Sequence, residues 1–250
     1  MGIGAYAVGI LAAHGVEDIL LQALVTILAS ALFAAITGAI SLRTHGVYFI
    51  MITLAFGQMM FFLAISLAAY GGDDGLTLGR RSTLFGTTIL KNNIVFFYLT
   101  FAVLLGSYLL ARALVASRFG RVLRGTKENP VRMQAIGFSP FAYQLTAYVI
   151  AGVICGLSGL LMANQAEFVS PAYMAWQRSG ELIVIVVLGG MGSLHGAIFG
   201  AIAFLLMEEW LAGITEHWKM IFGPFLILVV LFARGGIAGA LDRLTGGRRD

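Results

Sequence analysis

From Ile19 to Ile40 the chain carries no charged residue, and the run is almost wholly apolar. About 20 such residues in a helix cross the hydrocarbon core of a bilayer, so the stretch reads as a membrane span. Further candidates lie at roughly 46–70, 92–115, 142–166 and 219–233, with a glycine-interrupted stretch at 181–207. Residues 1–13 are apolar but too short to cross, and read as the end of a longer span. The expected fold class is all-α: a polytopic transmembrane helical bundle with a broken or re-entrant Gly-rich segment, one membrane domain over residues 1–250.

Charge agrees with this. Charged residues make up 11% of the 250, against about a quarter in soluble domains, too few to cover a water-facing surface. The net charge of +4 reads as the cytoplasmic excess of Lys and Arg in membrane proteins rather than as a nucleic-acid footprint. The lone Cys155 sits in an apolar run and can form no intrachain disulfide. The opening Met1-Gly2-Ile3-Gly4-Ala5-Tyr6 has no charged region of the kind that begins a cleaved signal peptide.

Orientation follows from the loops. Arg118, Arg121, Arg124, Lys127 and Arg132 crowd the segment after the 92–115 span, opposed by Glu128, which places the loop at about 116–140 in the cytoplasm. Alternation then puts Arg43-Thr44-His45 inside, and Glu17, Asp18, Asp73 and Asp74 outside; Arg80-Arg81 runs against the rule. If 181–207 crossed once, the tail with Arg234, Arg243, Arg248 and Arg249 would end outside, and Glu208, Glu209 and Glu216 inside. A re-entrant or broken pair of half-helices removes both conflicts and predicts a cytoplasmic C-terminus. Gly189-Gly190-Met191-Gly192-Ser193-Leu194-His195-Gly196 supplies the break, since each glycine costs a helix interior about 1 kcal/mol relative to Ala. Its exposed backbone must be buried in protein or line a wet cavity. These glycines either serve a transport site or simply permit close helix packing.

Within the basic loop, Asn129, Pro130 and Gly137 suit the cap, first turn and end of a short helix. That helix is either an interfacial one drawn to anionic lipid or a docking element for a cytoplasmic protein.

Four blocks carry a family resemblance. Gly120-Arg121, Lys127-Glu128-Asn129 and Ala135-Ile136-Gly137 match the cytoplasmic loop of permeases of branched-chain amino acid ABC transporters, the LivM-like subunit in particular. Gly46-Val47-Tyr48-Phe49-Ile50-Met51-Ile52-Thr53-Leu54-Ala55-Phe56-Gly57-Gln58 is similar to a second block of that family. So are Gly71-Gly72-Asp73-Asp74-Gly75-Leu76 and Val187-Leu188-Gly189-Gly190-Met191-Gly192-Ser193-Leu194. The matches run in order from about residue 2 to residue 235. Two departures stand out: family members usually carry further chain before the motif that starts at Gly2, and His195-Gly196-Ala197 replaces an aromatic-Gly-Pro sequence.

The resemblance implies an importer for branched-chain amino acids in a bacterial cytoplasmic membrane. Its other parts would be a second homologous permease, two cytoplasmic ATPase subunits and an external solute-binding protein. The implied ATPase-coupling residues are Gly120, Arg121, Arg124, Lys127, Glu128, Asn129, Ala135 and Gly137. Thr53, Gln58, Gly189, Gly190, Gly192 and Ser193 would lie on the translocation pathway, although interhelical hydrogen bonding would explain Thr53 and Gln58 as well. The lysines Lys91, Lys127 and Lys219 are not preceded by Gly, so the chain has no phosphate-binding loop. No cofactor is expected on this chain; ATP and Mg belong to the partner ATPases. Urea or short-amide importers use closely similar permeases and are the alternative.

Other classes fit less well. Gly156-Leu157-Ser158-Gly159 with a later His195 has the form of an intramembrane serine protease, which needs both side chains within hydrogen-bond reach. His14, His45, His195 and His217 are scattered and form no His-Glu-x-x-His zinc motif. A channel or secondary carrier would want a coupling carboxylate in a span, and no membrane-centred carboxylate appears in any of them.

Overall fold

The computed structural model describes residues 1–84, 86–190 and 192–214, with isolated positions 220, 223, 224 and 239. The chain divides into two compact units, Met1–Trp176 and Gln177–Asp250. Among the described residues, five helices are long and apolar enough to cross a membrane. The expected span at 219–233, and with it the side on which the C-terminus emerges, lies almost wholly outside the described residues.

In the first unit, helix α1 (Gly2–Ala13) precedes three long helices: α2 (Ile19–Ser41), α3 (Val47–Ser66) and α4 (Asn93–Ala116). Two short ones follow, α5 (Arg118–Glu128) and α6 (Pro130–Ala135), and then the long α7 (Pro140–Ala166). The expected span at 46–70 ends early. Gly71, at φ +88°, and Gly72, at φ +50°, adopt left-handed backbone that a continuing helix excludes, and a 3-10 turn at Ala68–Tyr70 replaces the last helical residues.

The core of this unit is the packing of α1 and α2 on α7. Apart from Ile19 at its start, the buried residues of α2 are Gln22, Thr26, Ser30, Ala34, Thr37, Gly38 and Ser41, small or polar and spaced by about one helical turn. Leu24, Leu28, Leu32 and Ile36 of the same helix are exposed. This is the reverse of a soluble helix, as expected where the solvent is as apolar as leucine and close backbone approach drives association. Gly156 shows how close the approach is: a Cβ there would stand 2.1 Å from Ser30 Oγ. Its carbonyl in turn sits where a Cβ on Gly4 of α1 would point, 2.0 Å away.

The loops sort to two ends. Strand β1 (Leu76–Thr77) pairs antiparallel with β2 (Phe168–Val169), Leu76 opposite Val169. Glu17 pairs with Arg80 at 3.2 Å, and the Ile19 amide donates to the Thr83 carbonyl at 2.8 Å. The loops after α1, α3 and α7 therefore form one cap, holding Glu17, Asp18, Asp73 and Asp74. A buried polar knot fastens it. Ser82 donates from its amide to Asn164 Oδ1 at 2.9 Å, and its hydroxyl lies 2.6 Å from the same oxygen and 2.5 Å from Gln22 Oε1. Arg81, which runs against the charge rule, is held by this cap. Its side chain is 10% exposed and lies 3.4 Å from Glu167, 2.6 Å from Asn93 Oδ1 and over the Phe96 ring.

In the second unit, α8 (Trp176–Gly189) and α9 (Leu194–Ile214) are separated by the expected glycine break. Leu188, Phe204 and Leu211 form its core, with Val184, Ile185, Ala203 and Met207 packed on them. A Cβ on Gly189 would stand 1.9 Å from the Gly196 carbonyl oxygen, and one on Gly200 2.2 Å from that of Ile185. Contacts of falling against rising residue number mean that the chain doubles back at the break. The halves are unequal at 14 and 21 residues, and α9 alone is long enough to cross.

Candidate functional site

The basic segment is an elbow of two helices, where the sequence suggested one short helix. Ser117 opens α5, its hydroxyl accepting from the Gly120 amide at 3.4 Å. Gly120 and Gly125 lower the intrinsic helix propensity of this stretch, which hid it from sequence reasoning. Both glycines answer to packing. A Cβ on Gly120 would lie 2.4 Å from the Val115 carbonyl oxygen, and one on Gly125 2.8 Å from the Met133 sulfur. Val122 and Thr126 are buried on the same side.

Asn129 separates the two helices. Its side chain accepts from the Arg132 amide at 2.9 Å, Pro130 takes the first helical position, and Gly137 ends the helix region at φ +96°. The short helix and its cap thus stand where the sequence put them.

The expected coupling residues separate by their contacts. Gly120 permits the close turn from α4, and Arg124 donates from Nη2 to the Val115 carbonyl at 3.0 Å, covering the C-terminal end of α4. Arg121, Lys127, Glu128 and Ala135 are exposed. Beside them Val131 is 71% and Ile136 63% exposed. Apolar side chains this open next to charged ones, in a loop at the end opposite the acidic cap, form a surface that a protein groove can cover. Stacking of Phe119 on Tyr143, at 5.5 Å between ring centres, and the edge contact of Phe138 with Tyr143 at 6.0 Å hold the elbow against α7.

The expected pathway residues are dispersed. The Thr53 hydroxyl lies 3.0 Å from the Phe49 carbonyl and 2.9 Å from that of Ile50, bonds within its own helix. Gln58 is half-buried five residues on, a spacing that leaves the two about 140° apart around α3. The structure does not bring them to one face. Gly189, Gly190, Gly192 and Ser193 lie together in the second unit. Gly190 and Gly192 take φ +110° and +109°, and the Ser193 hydroxyl accepts from the Gly196 amide at 3.0 Å, capping α9. The break therefore offers the carbonyl end of one helix and the amide end of another.

Ser158 donates to the Cys155 carbonyl at 2.8 Å, a bond that secures its hydroxyl to its own helix. Sequence reasoning missed the polar knot of Gln22, Ser82 and Asn164. The only signal was a pair of amide side chains inside apolar runs.

A family model described as branched-chain amino acid transport system / permease component matches residues 1–231. The high-affinity branched-chain amino acid transport system permease protein LivM of Salmonella typhimurium is 26% identical over 234 residues, 84% of this chain and 55% of that protein. LivM of Escherichia coli K12 is 27% identical over 220 residues, 78% of this chain and 52% of its own length. LivH of Escherichia coli K12, a permease protein of the same system, is 27% identical over 170 residues, 66% of this chain and 53% of its own. The chain spans about half the length of the curated relatives it matches. No solved structure matches.

Proposed function

The chain belongs to the family of permease components of branched-chain amino acid transport systems, and from that premise we propose that it is a subunit of an ATP-driven importer for branched-chain amino acids. It is a multi-pass membrane protein and a transport component, not an enzyme, which removes the hydrolase reading of Ser158 and His195. With a second homologous permease it forms the pathway across a bacterial cytoplasmic membrane. Two ATPase subunits supply the work from inside, and a solute-binding protein delivers from outside. The chain acts as one membrane domain in that assembly.

The observation that carries this reading is the α5–α6 elbow. It presents Arg121, Lys127, Glu128, Val131, Ala135 and Ile136 outward, while Gly120, Arg124, Tyr143 and the Asn129 cap hold its frame. An ATPase groove that closes on nucleotide would grip the exposed set. Because Arg124 is bonded to the end of α4 and Phe138 rests on Tyr143 of α7, the pull passes to two spanning helices at once. Alternating access is this tilting. At the break, the amide end of α9 near Ser193 suits a carboxylate.

The test is copurification. Expressed with its candidate ATPase and permease partners, the wild-type chain retains the ATPase, and Glu128→Arg loses it while keeping the second permease. A full-length, well-folded protein that retains no ATPase would overturn the reading.

A further inference from the structure

Helices α4 and α7 flank an open groove of about 700 Å3, within the about 300–1,000 Å3 common for small-molecule sites. Its polar lining is selective. Asn93, Thr100 and Ser107, the only Asn, Ser or Thr residues of α4, all line it, and Ser158 and Gln165 of α7 face them. The spacing of seven along each helix keeps these groups on one stripe. Phe96, Val103, Leu104 and Leu161 supply the apolar wall between them. On the other side of α4, Leu105 and Leu109 are 47% and 52% exposed and the face is apolar, as lipid requires.

Two of the hydroxyls are already donors. Thr100 donates to the Phe96 carbonyl at 3.0 Å and Ser158 to the Cys155 carbonyl at 2.8 Å. Their free lone pairs can accept from an ammonium without either hydroxyl losing its bond. Asn93 and Gln165, at the ends of their helices, stand at the mouth beside the acidic cap.

At its inner end the groove shares Ile154 with a second one of about 230 Å3. That chamber is apolar, and Phe119, Gly120 and Leu123 of α5 form part of its wall. A seam between α4 and α7 therefore runs from the acidic cap to the coupling elbow, with Ile154 at its waist.

We propose that this α4–α7 seam is the solute-conducting groove of the chain: Thr100, Ser107 and Ser158 receive the ammonium end of a small zwitterion, its aliphatic side chain lies on the apolar wall, and Ile154 is the constriction that movement of α5 opens. The proposal rests on the importer reading for its solute and deepens it by naming the groove. Elbow movement shifts Phe119 and Leu123 directly, so the inner chamber widens or closes without any signal through the rest of the fold.

The test uses the assembled importer in vesicles, with Cys155→Ala as background. Thr100→Cys, Ser107→Cys and Ser158→Cys are labelled with a membrane-impermeant thiol reagent, and Leu105→Cys and Leu109→Cys serve as controls on the opposite face. Thiolates form in water and not in lipid, so groove positions react at least about tenfold faster than the controls, and saturating L-leucine slows them. ATP-driven L-leucine uptake is measured in the same vesicles. Uptake with groove positions no faster than the controls, or with no protection by L-leucine, overturns the groove and leaves the importer reading standing; a groove filled by lipid or by a partner helix gives that result. Protected labelling without any uptake supports the groove and sinks the importer reading, and loss of both removes both. As a second measurement, Ile154→Trp blocks uptake while ATPase copurification is unchanged; normal uptake in that variant also overturns the proposal.

Discussion

The Ser82 amide donates to Asn164 Oδ1 across 82 positions of sequence, at 2.9 Å and fully within the protein. Asn164 also donates to the Leu160 carbonyl at 2.9 Å, and the neighbouring Gln22 donates to the Val16 carbonyl at 3.0 Å. The bond is thus one strand of a knot joining α2, α7 and the acidic cap. Replacing Asn164 by Leu leaves the Ser82 amide without a partner, at about 1–3 kcal/mol for a buried group stranded in this way, while the hydroxyl keeps Gln22 Oε1. Unfolding of the purified protein in mixed micelles should show that loss; a change under about 0.5 kcal/mol would mean the knot is not formed as described.

Asn129 caps α6, and its replacement by Ala should weaken that helix by about 1 kcal/mol, while Asp preserves the acceptor. Amide exchange over residues 130–137 reads the difference directly. Faster exchange in Asn129→Ala, with near-normal protection in Asn129→Asp, is the expected result. Equal protection in all three would remove the cap from the account of the elbow.

Packing between α2 and α7 turns on Gly156. A valine there must push aside Ser30, whose Oγ occupies the space of its Cβ, and overpacking of this kind costs about 1–3 kcal/mol. Gly156→Val is expected to lose more stability than Ala151→Leu, which also adds three carbons to α7 but at an exposed site. Equal tolerance at both positions in the same micelle titration would contradict the close approach.

Arg81 is held through the fork of its guanidinium and by the Phe96 ring, features that Lys does not reproduce. Arg81→Lys should therefore speed amide exchange in the 78–91 loop, even though the charge facing Glu167 is kept. An unchanged loop would show that charge alone suffices.

Much of this protein was legible before any fold was known. Span positions came from apolar runs, because a bilayer sets the length of a helix. The clustering of Arg and Lys after α4 set that loop apart from the acidic ones, and the cap formed by the loops after α1, α3 and α7 gathers the acidic residues at the opposite end. The break at Gly190–Ser193 and the Asn129–Pro130 start of α6 were also readable, since glycine, asparagine and proline act through local backbone geometry. Hydropathy was silent on which face of each helix turns inward. A helix that is apolar all round has no amphipathic stripe, so Thr53 and Gln58 read as one site and prove to lie on different faces of α3. The two glycines of α5 lower its helix propensity, and only their packing on Val115 and Met133 accounts for them. The knot of Gln22, Ser82 and Asn164, the clamp on Arg81 and the α4–α7 seam belong to tertiary structure alone. Each joins residues distant in the chain, and no local propensity records which distant partner will satisfy a buried polar group.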